Sequence, residues 1–172
     1  DSLYCDSLIL FDENYKNFTA IKNVNFFQNE NKIKCEKMDY LEENEKKVIK
    51  IFDNAEILDS FRVVRGDTIV INYQDSIIDN MHVKSNGEII NFRYAKIKEF
   101  GKSQLVEDNI KSKRMFMNFE NQILKKIELS GMAITKFNVV KDTLIMGLNS
   151  VSGDSIIIDM ENENIINRLQ II

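Results

Sequence analysis

Ile occurs 25 times and Val ten times in 172 residues, while Ala occurs four times and Pro not at all. Side chains branched at Cβ lose rotamer freedom in a helix and pack well on a pleated surface, so this balance drives the chain towards strands. Strands must be joined by turns, and with six Gly and no Pro the turns fall to Asn, which occurs 20 times and tolerates the left-handed conformation. The expected class is all-β.

Internal similarity sharpens this. Phe61-Arg62-Val63-Val64-Arg65-Gly66-Asp67-Thr68-Ile69-Val70-Ile71 recurs as Phe137-Asn138-Val139-Val140-Lys141-Asp142-Thr143-Leu144-Ile145-Met146, with only the Gly missing. Asp75-Ser76-Ile77-Ile78 is echoed by Asp154-Ser155-Ile156-Ile157, and Gly87-Glu88-Ile89-Ile90-Asn91 by Asn164-Ile165-Ile166-Asn167. A shorter unit runs through the chain: apolar strand, acidic or Asn-rich turn, apolar strand. Its turn centres fall near residues 13, 44, 87, 121 and 163, and Asn86-Gly87 reads as a strong two-residue hairpin signal.

Several short strands per 30 to 45 residues are the pattern of propeller blades. The stretches 55–100 and 131–172 resemble blades of NHL-type and TolB-like β-propellers. The resemblance implies one domain over 1–172 built from repeated antiparallel meanders, about four propeller-like blades, that presents loops and carries no particular chemistry. Such propellers usually have six blades, so the shorter chain implies a small propeller or one completed by a partner. The alternative is a β-barrel or sandwich with one packed helix. Phe116, Phe119, Ile123 and Ile127 lie on a helical stripe, with Asp108 as a candidate N-cap and Gly131 past the end, which places that helix near 108–129.

A chain of this length buries roughly 70% of its extended surface on folding, enough for a core without metals or disulfides. Cys5 and Cys35 are too few for a disulfide scaffold, and their pairing is left open by the sequence. The net charge of −4 and pI near 5.2 argue against a nucleic-acid partner. No apolar run is long enough for a transmembrane helix. The chain opens on Asp1 rather than Met, which favours a processed, exported or surface-associated protein over a cytoplasmic one. Asn17-Phe18-Thr19 is a glycosylation sequon with meaning only in a eukaryotic secretory setting.

The search for chemistry returns no enzyme signature. His82 is the only histidine and sits in an alternating strand pattern, so a catalytic triad would have to use it. Ligand sets for zinc and calcium loops are missing, as are phosphate-binding glycine patterns, and no cofactor is expected. Arg65-Gly66-Asp67 reads as a plain hairpin turn. Charge is uneven instead: Arg93 to Lys126 holds nine basic and four acidic residues, and Asp142 to Glu163 holds five acids and no Lys or Arg. The sequence therefore reads first as a non-enzymatic module that binds another protein through loop charges, with Lys111, Lys113 and Arg114 as one pole and Asp159, Glu161 and Glu163 as the other. The second reading is a small hydrolase or ligand carrier with a carboxylate-lined pocket that His82 or a Tyr would line. Unpaired strand edges, if present, imply oligomerisation or completion by a partner.

Overall fold

A computed structural model describes residues 1–14, 16–28, 31–96, 103–141, 144–162 and 165–172. Every regular element among them is a strand. Two short ones come first, β1 (Ser2–Tyr4) and β2 (Ser7–Leu10). Then follow β3 (Asn17–Gln28), β4 (Asn31–Glu43), β5 (Lys46–Leu58), β6 (Arg62–Gln74), β7 (Ile77–Lys96), β8 (Ser103–Glu120), β9 (Ile123–Lys141), β10 (Leu144–Asn162) and β11 (Ile165–Ile171). They form one sheet. From β3 to β11 each strand pairs antiparallel with the next in sequence, β1 and β2 both pair with β3, and a single parallel bridge joins Leu144 of β10 to Lys96 of β7. The tight connections at Asn44-Glu45, Asp75-Ser76 and Asn121-Gln122 place two successive residues at positive φ, the twist that suits adjacent antiparallel strands.

Strands of 12 to 20 residues are too long to stay straight in a twisted sheet, and the sequence bends them along one line. Lys22-Asn23 in β3, Asp53-Asn54 in β5, Ser85-Asn86 in β7 and Gly131-Met132 in β9 are pairs of positive-φ residues in mid-strand. At each, the odd-numbered strand spends one residue more than its even-numbered neighbour between matched pairs: Ile21 and Val24 face Lys37 and Cys35, and Lys84 and Gly87 face Arg114 and Ser112. These are β-bulges, which bend a strand and raise its twist. Four glycines lie in the same band. A Cβ on Gly66 would stand 2.3 Å from Val83 Cγ1, and one on Gly153 would stand 2.6 Å from Ile171 Cγ2. The glycines admit a close approach that no larger residue could.

The band is a crease, and the sheet folds over along it so that its two flanks face each other. Tyr73 of one flank donates through its hydroxyl to Gln28 Oε1 of the other at 3.1 Å, and the Phe26 and Tyr40 rings meet edge-on at 6.3 Å. Both flanks feed one core. Its alternating inward residues include Phe26, Ile33, Val64, Ile89 and Ile110 from the first flank, and Met38, Ile49, Ile69, Met117, Ile127 and Ile156 from the second.

The propeller expectation is overturned. A propeller divides its strands into separate radial blades, whereas this chain lays all of them into one continuous sheet. The folded sheet is nearer the sandwich alternative, with both layers supplied by the same strands. The repeat is one of sequence only. Its first copy is the single strand β6, creased at Gly66. Its second copy begins on β9 and ends on β10, and Asp142 and Thr143 between them lie outside the described residues. Likewise Asp75-Ser76 is a hairpin turn while Asp154-Ser155 sits at the crease. Asn86-Gly87 is also at the crease and not at a hairpin: positive φ there serves a bulge. The expected turn centre at 163 lies outside the described residues. The expected helix near 108–129 is β8, a turn and β9. The positive-φ pair Asn121-Gln122 ends any helix, and the period-two burial of Val106, Asp108, Ile110 and Ser112 prevails over the sparse helical stripe.

Candidate functional site

The interior between the flanks holds the core. It is apolar, and five of the seven methionines are buried in it: Met38, Met81, Met115, Met117 and Met160. Thioether side chains are unbranched and polarisable, so a Met-rich interior adapts to what it holds. The interior is nearly filled. A cavity of about 70 Å³ lies among Ile33, Ile57, Val64, Ile71, Met81 and Met117, and one of about 20 Å³ lies among Ile110, Ile127, Phe137, Ile158 and Met160.

At the sheet edges the interior is not covered. Residues directly opposed on antiparallel strands share a face. Leu8 opposes the fully buried Ala20 and Leu10 opposes Phe18, so both point to the core side, yet they are 44% and 43% exposed. On the other edge Ile171 opposes the buried Ile156 and is 55% exposed. These are core-facing side chains without a lid. β1, β2 and β11 each pair on one side only among the described residues, so both edges also carry free backbone donors and acceptors.

One polar cluster borders the smaller cavity. Asp108 is buried on the inner face of β8. Its Oδ1 accepts from the Asn138 backbone N–H at 2.7 Å and from Asn138 Nδ2 at 3.1 Å, and its Oδ2 lies 2.9 Å from Arg93 Nε. The Arg93 Nε–H is not aligned on an acceptor, and a terminal nitrogen of the same guanidinium donates to the Asn138 carbonyl. Burial of a carboxylate is tolerated only with such partners. Sequence reading missed this group, because Arg93 and Asp108 come together only through the β7–β8 register.

The charges singled out in the sequence sit on strands, not loops. Lys111 is absorbed in a ladder that crosses five strands on the outer face. Lys34 meets Glu56 at 3.4 Å, Glu56 meets Arg65 at 2.7 Å, Arg65 meets Glu88 at 3.6 Å, and Glu88 meets Lys111 at 2.9 Å. Burial pushes Glu56 and Glu88 up, but Arg65 with Lys34 around the first, and Asn109, Lys111 and Arg65 around the second, outweigh it and hold both below the usual carboxylate range. Arg65 of the Arg65-Gly66-Asp67 triplet is thus a mid-strand ladder member and not part of a hairpin turn. Lys113 and Arg114 lie across the crease from the ladder, in an outer groove that also holds His82, Lys84 and Ser85. Asp159 is tied to Arg168 at 3.3 Å, Glu161 is exposed at the end of β10, and Glu163 lies outside the described residues. Lys111, Lys113 and Arg114 thus lie on β8, and Asp159 and Glu161 on β10.

His82 packs edge-on against Phe116, its cross-strand partner, with ring centroids 4.2 Å apart. Burial and the nearby Lys84 lower its pKa, so it is neutral at pH 7. Cys5 and Cys35 are free thiols, and burial pushes Cys35 up to about 12. Among the described residues no group of three or more His, Cys, Asp or Glu could hold a metal ion, and no helix is long and apolar enough to cross a membrane.

No family model matches this chain, and no curated protein matches it. Among solved structures, the fold is similar to that of LptH from Pseudomonas aeruginosa, the LptA homologous periplasmic component of a conserved lipopolysaccharide transport device. The TM-score is 0.54 at 11% identity, over 87% of this chain and 92% of that one. At that identity the likeness speaks to the fold, and it replaces the propeller resemblance.

Proposed function

We propose that this chain is a non-enzymatic, exported β-scaffold that receives the apolar part of an amphiphile between its flanks and joins other proteins, or further copies of itself, through its free sheet edges. The observation that carries the reading is the exposure of Leu8, Leu10 and Ile171, core-facing side chains at the two uncovered edges of a Met-rich interior. An acyl chain entering there would cover apolar surface that is otherwise wet. The existing cavities are too small for a long chain, so uptake requires the flanks to part, with the crease as the line about which they move. A fold shared with a periplasmic component of a lipopolysaccharide transport device supports an apolar cargo and an exported setting. The edges fit strand addition, in which backbone groups supply the affinity. The buried carboxylate Asp108 is committed to Arg93 and Asn138.

The test is displacement of a fluorescent long-chain acyl probe from the delipidated chain. Leu8→Asp with Leu10→Asp should weaken probe binding by about tenfold or more, equivalent to roughly 1.4 kcal/mol, with the circular dichroism spectrum retained. A probe that does not bind the parent chain, or that binds the double variant equally well, overturns the reading.

A further inference from the structure

From the outer groove beside the crease we infer a second, separate binding site, one for a phosphate-monoester dianion, formed by Lys84, Lys113 and Arg114 with the hydroxyls of Ser85, Ser130 and Ser155. The groove has a volume of about 870 Å³ and all six residues line it. Register places them. Lys84 directly opposes Arg114, Arg114 opposes Ser130, and Ser130 opposes Ser155, so a single row across four strands reads cation, cation, hydroxyl, hydroxyl. Lys113 and Ser85 flank the row at the bulges.

Two cations directly opposed on neighbouring strands repel, where acids could have been placed instead. The same sheet shows what the alternative looks like. On the other side of the crease Lys34, Arg65 and Lys111 alternate with Glu56 and Glu88 and every charge is matched. Among the described residues no ion pair engages Lys84, Lys113 or Arg114. The acid in the groove, Glu128, is held by Lys126 at 2.7 Å. His82 is neutral at pH 7 and adds no charge. The groove thus concentrates two or three positive charges beside hydroxyl donors and keeps its carboxylate occupied elsewhere. That set suits a compact, doubly charged oxyanion: Arg offers paired N–H donors, Lys a point charge, and Ser the remaining hydrogen bonds. The site lies on the outer face and does not depend on the interior accepting an acyl chain.

The test compares the parent chain with Lys84→Gln/Arg114→Gln by calorimetry and thermal unfolding at fixed ionic strength. Three probes are used: glycerol phosphate, phosphatidylcholine vesicles with and without phosphatidic acid, and polyglutamate. The parent chain should bind the phosphate ester, or vesicles only when they carry phosphatidic acid. The first result identifies a soluble ligand and the second a lipid headgroup; either supports the site. Glycerol phosphate should raise the Tm of the parent more than chloride does. The double variant should be at least as stable without ligand, because the repulsion is gone, and should lose the ligand-induced rise and about tenfold or more in affinity. Equal effects of chloride, an undiminished rise in the variant, or preference for polyglutamate over both phosphate probes would each overturn the proposal, the last in favour of an acidic protein. Acyl-probe displacement should be the same in both chains, so failure here is distinguishable from failure of the interior reading.

Discussion

Replacing Glu88 by Gln removes one charge from the outer ladder and changes almost nothing in shape. Glu88 sits between Arg65 and Lys111 and accepts from Asn109 Nδ2 at 2.9 Å. The side chain is 21% exposed, while Arg65 and Lys111 are 47% and 58% exposed, so the ion pairs are partly screened. Each pair is worth roughly 0.3–1 kcal/mol in such a setting. Turning the Asn109 hydrogen bond from charged to neutral adds about 0.5 kcal/mol. The expected loss is about 1–2.5 kcal/mol at pH 7, or about 2–10 °C in Tm for a chain of this size. The pH dependence separates charge from packing. Glu88 is held below its ordinary value when folded, so its stabilisation is complete above the unfolded pKa and disappears as pH falls through the folded one. Urea unfolding of Glu88→Gln and the parent should therefore differ at pH 7 and converge as the pH falls below the ordinary carboxylate range, and the pH 7 difference should shrink at high salt. A difference that stays equal from neutral pH into acid would mean that Glu88 acts through its shape, and the ladder argument would fail.

Two further substitutions and a labelling experiment probe the crease and the core. Gly66→Ala should lose about 1–3 kcal/mol by denaturant melt, because the new Cβ would stand 2.3 Å from the stiff, buried Val83, whereas Gly147→Ala, with nothing within 4 Å, should be neutral or slightly stabilising. A disulfide-exchange reagent at pH 8 should label Cys5 in the native chain and reach Cys35 only when denaturant is added, since burial holds that thiol at about 12; equal labelling rates would contradict the core placement.

The strand content was legible from Ile, Val and Asn alone, because pleated surfaces reward Cβ branching wherever they occur. The order of strands was not. Ser85-Asn86 and Asn121-Gln122 carry the same local signal, positive φ at two successive residues, yet one pair bends a strand and the other ends it. Local sequence fixes the backbone twist; which outcome follows depends on whether the next segment finds its partner ahead or behind. The repeat misled for a related reason, since Phe61 to Ile71 and Phe137 to Met146 share strand propensity but not position relative to a turn. Lys113 and Arg114 were visible as a cationic cluster. Their neighbour Lys84, about 30 residues away in sequence, was not, and the same register that joins it to them removes Lys111 to Glu88.

The sequential order from β3 to β11 has a consequence for growth of the protein over evolutionary time. Because each strand contacts chiefly its predecessor and successor, a hairpin can be added or deleted at either edge, or within the row, without rethreading the rest. Stability then accumulates rung by rung, as in linear repeat arrays, and folding can zip outward from any well-formed hairpin. The length of such a protein is a free variable: the crease sets how wide the trough is, and the number of rungs sets how far it runs.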